Sequence, residues 1–152
     1  MATAIFPVIP AEIPSQAADT IGRVPAFVFH DNGRTGNFKL VDGKLTERSG
    51  KEAVKQWFEL MLRQQPGAIP IYRADETTQP GVDRSYMDRG LTPGFVYAEI
   101  ERNVRETSEF CPAVRMVDSF NFKRTRRGLQ VSFTAYLHTN ETVEVTVDVS
   151  GE

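Results

Sequence analysis

The side chains able to do chemistry are few. One thiol, Cys111, and two imidazoles, His30 and His138, make up the soft-ligand set. Three such residues do not fill a four-ligand Cys/His zinc cage, and a lone cysteine cannot close an intrachain disulfide. As a nucleophile, Cys111 would need a base beside it. It follows a helical pattern and precedes Pro112, and no feature of the sequence brings either histidine to it. A small packed thiol is the better reading. Among the acids, Asp75 and Glu76 are adjacent in a long polar segment, and Glu99, Glu101 and Glu106 share a helical stretch. Glycoside hydrolysis needs two carboxylates about 5 to 10 Å apart across a cleft, in unlike environments. Adjacent acids do not define a cleft. The helix glutamates fall on a face that carries arginines, which reads as solvated and ion-paired. Gly43 to Lys51 superficially resembles a phosphate loop, but it has six residues between its glycines instead of four, and Glu52 stands where a Mg²⁺-binding Ser or Thr belongs. Ser49 and Glu52 instead have the spacing of a capping box. Neither G-x-S-x-G nor H-E-x-x-H occurs. The expectation is a protein without catalytic residues, resident metal or cofactor.

Two stretches point to binding rather than catalysis. Lys123, Arg124, Arg126 and Arg127 form a basic run at an expected hairpin tip, suited to an acidic protein surface or to no partner at all. It has no aromatic stacking platform beside it for nucleic acid. The second stretch is Thr142, Val143, Glu144, Val145, Thr146, Val147, Asp148 and Val149, a strongly β-prone run that reads as an edge strand. Exposed edges template pairing with other chains, and natural proteins blunt them with proline, lysine or bulges. Only Glu144 and Asp148 guard this one, so it is a candidate for strand addition by a partner. The competing reading is that Ala26 to His30 already covers it.

The elements that must position these stretches follow from the pattern. The chain has 152 residues, 18 basic against 20 acidic, and a formal charge of -2. This suits one ordinary domain and argues against nucleic acid or an anionic membrane as the main partner. No apolar run approaches the ~20 residues that span a bilayer. Met1 to Pro14 is apolar but broken by Pro7, Pro10 and Pro14 and lacks a basic leader, so an intracellular product is expected. Residues 1–24 read as an extended arm, either a loose terminus or a segment lying along a neighbouring subunit, and residues 25–152 as the domain. Ala26 to His30 and Asn37 to Val41 are expected to form a hairpin around Asp31-Asn32-Gly33, with Asp42-Gly43 ending it. Val54, Trp57, Phe58, Met61 and Leu62 make one helical stripe up to Pro66-Gly67. Lys55, Glu59 and Arg63 lie on another face at spacings that allow pairing. Arg73 to Gly90 reads as a long loop that is functional or docked on something. A second helix opens at Thr92-Pro93, with Val96, Ile100 and Val104 as its stripe and Glu101–Arg105 as a pair. Met116 to Lys123, then Leu129 to Leu137, then Val143 to Val149 read as an antiparallel meander with one dry and one wet face. The fold class is α+β: two helices packed on a C-terminal meander, with an N-terminal hairpin and a Pro-rich arm.

The ordered motifs also resemble a known family. Gly50-Lys51-Glu52-Ala53-Val54-Lys55-Gln56-Trp57 is similar to the first-helix signature of phage baseplate proteins typified by defective Bacillus prophages with contractile tails. Ile69-Pro70-Ile71-Tyr72 resembles the segment that follows, and Ala98-Glu99-Ile100-Glu101-Arg102 the second helix. Val117 to Phe122 and Gly128 to Thr134 resemble the closing strands. That branch is similar to the wider baseplate wedge, or sheath-initiator, proteins of contractile phage tails and bacteriocins. The wider family's Pro-Gly-Glu-Arg turn has Pro66-Gly67-Ala68-Ile69 as its counterpart here, without the acid–base pair. The resemblance implies a non-enzymatic virion part, assembled in the host bacterial cytoplasm in multiple copies in a ring-like baseplate. Its implied partners are the tail sheath protein and other wedge and tube or hub proteins, with no nucleic acid and no membrane. Some relatives are labelled lysozyme-like, so a cell-wall glycosidase is the competing class. A baseplate part of a non-contractile tail is a third. On the edge-strand reading, a chain lacking Thr142 to Glu152 is expected to fold but not to nucleate sheath.

Overall fold

Alternating hydrophobicity builds the largest element. In the computed structural model, which describes residues 21–30, 35–70, 79–87, 89–126 and 128–149, the chain closes with three long strands. They are β7 (Val114–Thr125), β8 (Gly128–Leu137) and β9 (Thr142–Val149), in the order β7-β8-β9, all antiparallel. Leu129, Val131, Phe133, Ala135 and Leu137 of β8 and all four β9 valines turn to the same buried face. Phe133 stands opposite Val145 in the register, and Leu129 opposite Val149. The other face carries Gln130, Ser132, Thr146 and Asp148, with Ser132 Oγ 3.2 Å from Thr146 Oγ1.

Two helices roof the dry face. α1 (Gly50–Met61) lies against β9, and α2 (Pro93–Ser108) lies against β7. The expected stripe of α1 holds in Val54, Phe58 and Leu62, which are buried, with Trp57 packed at the margin; Met61 is half-buried and outside the core cluster. Phe58 is fully buried, its ring edge-to-face with Phe133 at 5.1 Å. Ser49 occupies the N-cap position of α1 with extended backbone, but its side chain makes no capping hydrogen bond, so the capping box does not form. On α2, Ile100 and Val104 are buried as the stripe requires, and Pro93 sits in the first turn.

The first described part of the chain makes three small two-stranded ladders. β1 (Val24–Pro25) pairs with β6 (Glu47–Arg48), β2 (Phe27–Phe29) with β3 (Gly36–Phe38), and β4 (Leu40–Val41) with β5 (Lys44–Leu45). The first hairpin is therefore shorter than expected; its turn residues Asp31, Asn32 and Gly33 lie outside the described residues. Asp42-Gly43 does not merely stop a strand. With φ of 50° and 75°, it is the tight turn of a second hairpin, β4–β5, because a two-residue turn with both φ positive matches strand twist. Gln56 of α1 holds this region to the domain. Its side chain is buried, accepts from the Phe27 N–H at 2.9 Å and donates to the Pro25 carbonyl at 2.8 Å. Most of the expected arm, residues 1–20, lies outside the described residues.

The four β9 valines change one expectation. Their relative exposures are 6%, 0%, 1% and 0%. Burying a valine contributes at least ~1.5 kcal/mol, so the row supplies roughly 6 kcal/mol or more. That is comparable to the ~5–15 kcal/mol net stability of a whole domain. β9 is thus part of the core, and the domain is not expected to fold without it. A chain ending before Thr142 should lose its cooperative thermal transition by circular dichroism; a retained transition at a similar midpoint would contradict this assignment.

Candidate protein-binding edge

The two outer strands of the sheet present their backbones differently. β7 is irregular. Its register with β8 shifts between Val114 and Met116 and again between Asp118 and Asn121, and Ser119 takes a φ of 59°. Such bulges bend a strand and spoil its outer edge as a template. Arg105 of α2 fastens the second bulge. Its guanidinium donates to the Val117 carbonyl at 2.7 Å, pairs with Glu101 at 2.8 Å and reaches Asp118 at 3.4 Å. β9 has none of this. Its pairing with β8 runs without a shift from Thr142 opposite Tyr136 to Val149 opposite Leu129. Among the described residues no strand pairs with its outer side, and Phe27–Phe29, within the run Ala26 to His30 that is the alternative cover, pairs instead with β3.

The eight residues of the predicted edge therefore split. The side chains of Val143, Val145, Val147 and Val149 point into the core and are unavailable to a partner. Thr142, Glu144, Thr146 and Asp148 are exposed. A partner strand would meet the β9 backbone along its free side and these four side chains on the wet face.

The basic run lies at the same end of the sheet as the close of β9. Lys123, Arg124 and Arg126 are exposed at the β7–β8 tip, and Arg127 lies outside the described residues. Arg124 stands opposite Leu129, which stands opposite Val149 on its other side. Two ladder steps place the tip about 10 Å from the β9 edge. Arg124 also borders a cleft of about 320 Å³ at the start of α2, walled by Met87, Leu91, Val96, Tyr97 and Leu129. No local pattern announces this cleft, because its walls come from three separate segments.

Of the residues considered for catalysis, the described ones are buried, exposed at the surface or ion-paired. Cys111 is buried, and burial pushes its thiol above the ordinary value. His30 is exposed, its Nε2 3.2 Å from Asn37 Nδ2. His138 is exposed at the far end of β8. Arg102 takes Glu99 at 2.7 Å and Glu106 at 2.8 Å. Both carboxylates push its guanidinium above the usual range. Asp75 and Glu76 lie outside the described residues. No group of three or more His, Cys, Asp and Glu converges among the described residues. No helix there is long and apolar enough to cross a membrane.

The described end of the long loop docks on this same domain. Thr107 is fully buried; its hydroxyl accepts from the Gly81 N–H at 2.9 Å and donates to the Gly81 carbonyl at 3.2 Å. Asn103 accepts from the Asp83 N–H at 3.0 Å, and Val82 is fully buried. Arg84 donates to the Leu62 and Arg63 carbonyls at the end of α1, where such orphan acceptors need partners. Burial and the nearby Arg63 charge lower the Arg84 value. Asp83 caps the short 3₁₀ turn Arg84–Tyr86. Burial pushes its carboxyl up, but hydrogen bonds from Ser85 and Gln65 and the Arg89 charge outweigh this and hold it below its ordinary value.

Protein-family models yield no match to this chain, and the curated proteins yield no significant similarity. Thr107→Val keeps the shape but strands the Gly81 N–H and C=O. It should cost about 2 kcal/mol or more of stability. It should also speed hydrogen exchange at the Val82 amide, whose bond to the Gln64 carbonyl depends on this docking. An unchanged midpoint and exchange rate would contradict the network.

Proposed function

We propose that this chain is a structural component of a contractile phage-tail, or phage-tail-like, baseplate that joins the wedge and tube region to the first sheath ring. The sheath protein of the same particle adds a strand to the free side of β9. The observation that supports this reading is the contrast between the edges: β7 is bulged and fastened, whereas β9 is regular and guarded only by Glu144 and Asp148. The ordered resemblance of Gly50 to Trp57, Ala98 to Arg102, Val117 to Phe122 and Gly128 to Thr134 to the baseplate family supports it from the sequence side.

Backbone pairing supplies affinity in this mode, and side chains on alternate positions supply choice of partner. Thr142, Glu144, Thr146 and Asp148 are the side chains free to make that choice. The tip residues Lys123, Arg124 and Arg126 lie at the same end of the sheet, two strands from that edge, and suit an acidic patch on the incoming chain. The role needs no reacting group, metal or cofactor, and the particle assembles in the bacterial cytoplasm.

A cross-link reads this contact without disturbing the fold. Thr146→Cys places an exposed thiol on β9, and the native Cys111 is buried and does not compete. Labelled with a short photo-cross-linker and mixed with the purified sheath protein, this variant should give a one-to-one adduct whose cross-linked peptide is a β-strand of the sheath protein. Glu109→Cys, exposed beyond the end of α2, should not. Equal adducts from both positions, or none from Thr146→Cys, would contradict strand addition at β9.

A further inference from the structure

The small ladders leave an apolar surface. Phe38 is 56% exposed, Leu40 59% and Leu45 56%. Single exposed apolar residues are ordinary, but a contiguous group marks a contact surface. Beside it runs a groove of about 390 Å³ between β1–β3 and α1, walled by Ile21, Val24, Phe27, Phe38, Trp57 and Leu60. The polar group at its floor is Gln56, and its amide is already committed at both ends, to Phe27 N–H and Pro25 C=O. The walls therefore suit an apolar, uncharged occupant that brings few backbone donors.

The chain carries such a segment immediately before the groove. Ala4-Ile5-Phe6-Pro7-Val8-Ile9-Pro10 has no charge and no polar side chain, and its two prolines lack N–H groups. Pro7-Val8-Ile9-Pro10 has the P-x-x-P spacing. In a polyproline II helix this puts the prolines on one edge about 9 Å apart, the form that aromatic-lined grooves accept. Three of the six wall residues named above are aromatic: Phe27, Phe38 and Trp57. Ile21 is itself a wall residue, and Gly22, with a φ of 79°, turns the chain there. The ten residues from Ala11 to Thr20 can span up to about 33 Å, ample for the segment to double back.

We propose that Ile5 to Pro10 docks in the groove of its own chain, against Phe27, Phe38 and Trp57. This assigns the Pro-rich segment to its own domain rather than to a neighbouring subunit. It does not depend on the partner of β9.

Trp57 is the single tryptophan of the chain and stands in the groove wall, so its fluorescence reads occupancy directly. Acrylamide quenching of Trp57 in the full chain is compared with that in a chain lacking residues 4–14. Removal of the segment should raise the quenching constant several-fold and shift the emission to the red, and a synthetic peptide of residues 4–14 should reverse both. Phe6→Asp with Ile9→Asp should copy the deletion, and circular dichroism should show the fold retained in each. Equal quenching with and without the segment would overturn the proposal. So would protection that appears only as light scattering shows the mass of two or more chains, because the segment would then occupy a second copy.

Discussion

The rest of the structure depends on the row of four valines on β9. They close the dry face against β8, and α1 lies over them with Phe58 reaching Phe133. The same strand is the outermost of the sheet. Its valines are thus committed inward, while among the described residues its backbone is paired on one side only. A strand that the core requires cannot be withdrawn to hide an edge.

The opposite edge shows what protection looks like in the same sheet. β7 changes side-chain parity at its second bulge: Val117 is buried, and after the shift Phe120 and Phe122 are the inward residues, packed against the core. Phe122 stacks on Tyr97 of α2 at 4.6 Å, and Arg105 lies over Phe120 at 5.0 Å while binding the Val117 carbonyl. One helix therefore both covers the inner face of β7 and fixes the kink that spoils its outer side. α1 gives β9 an inner cover without any comparable distortion. The asymmetry is physical, and among the described residues it leaves β9 as the regular, unpaired edge.

The sequence makes the local patterns legible and hides the long-range ones. The alternation from Leu129 to Leu137 and from Val143 to Val149 appears as written, because a two-sided sheet demands period two. The Val54–Phe58–Leu62 stripe appears for the corresponding reason on a helix. The β7 bulge had a signal: Val117 and Phe120 are three apart, which no regular strand can point to one face. Asp42-Gly43 was legible as a turn, but its role as the centre of a hairpin depended on partners only two residues long. The Ser49 cap failed because spacing alone does not form a hydrogen bond. Gln56, Thr107 and Arg84 act on groups 21 to 31 residues away, so no local pattern announces them. Of the candidate edge, the strand could be read from sequence, but the split into four buried valines and four exposed polar residues needed the helix above it.

Cryo-electron microscopy of the intact particle, at a resolution that traces strands, tests the central claim most directly. The account predicts a strand of the sheath protein running along the free side of β9, hydrogen-bonded to its backbone from Thr142 to Val149. A β9 edge that faces solvent in the assembled particle, or that meets its neighbour through side chains alone, would contradict it.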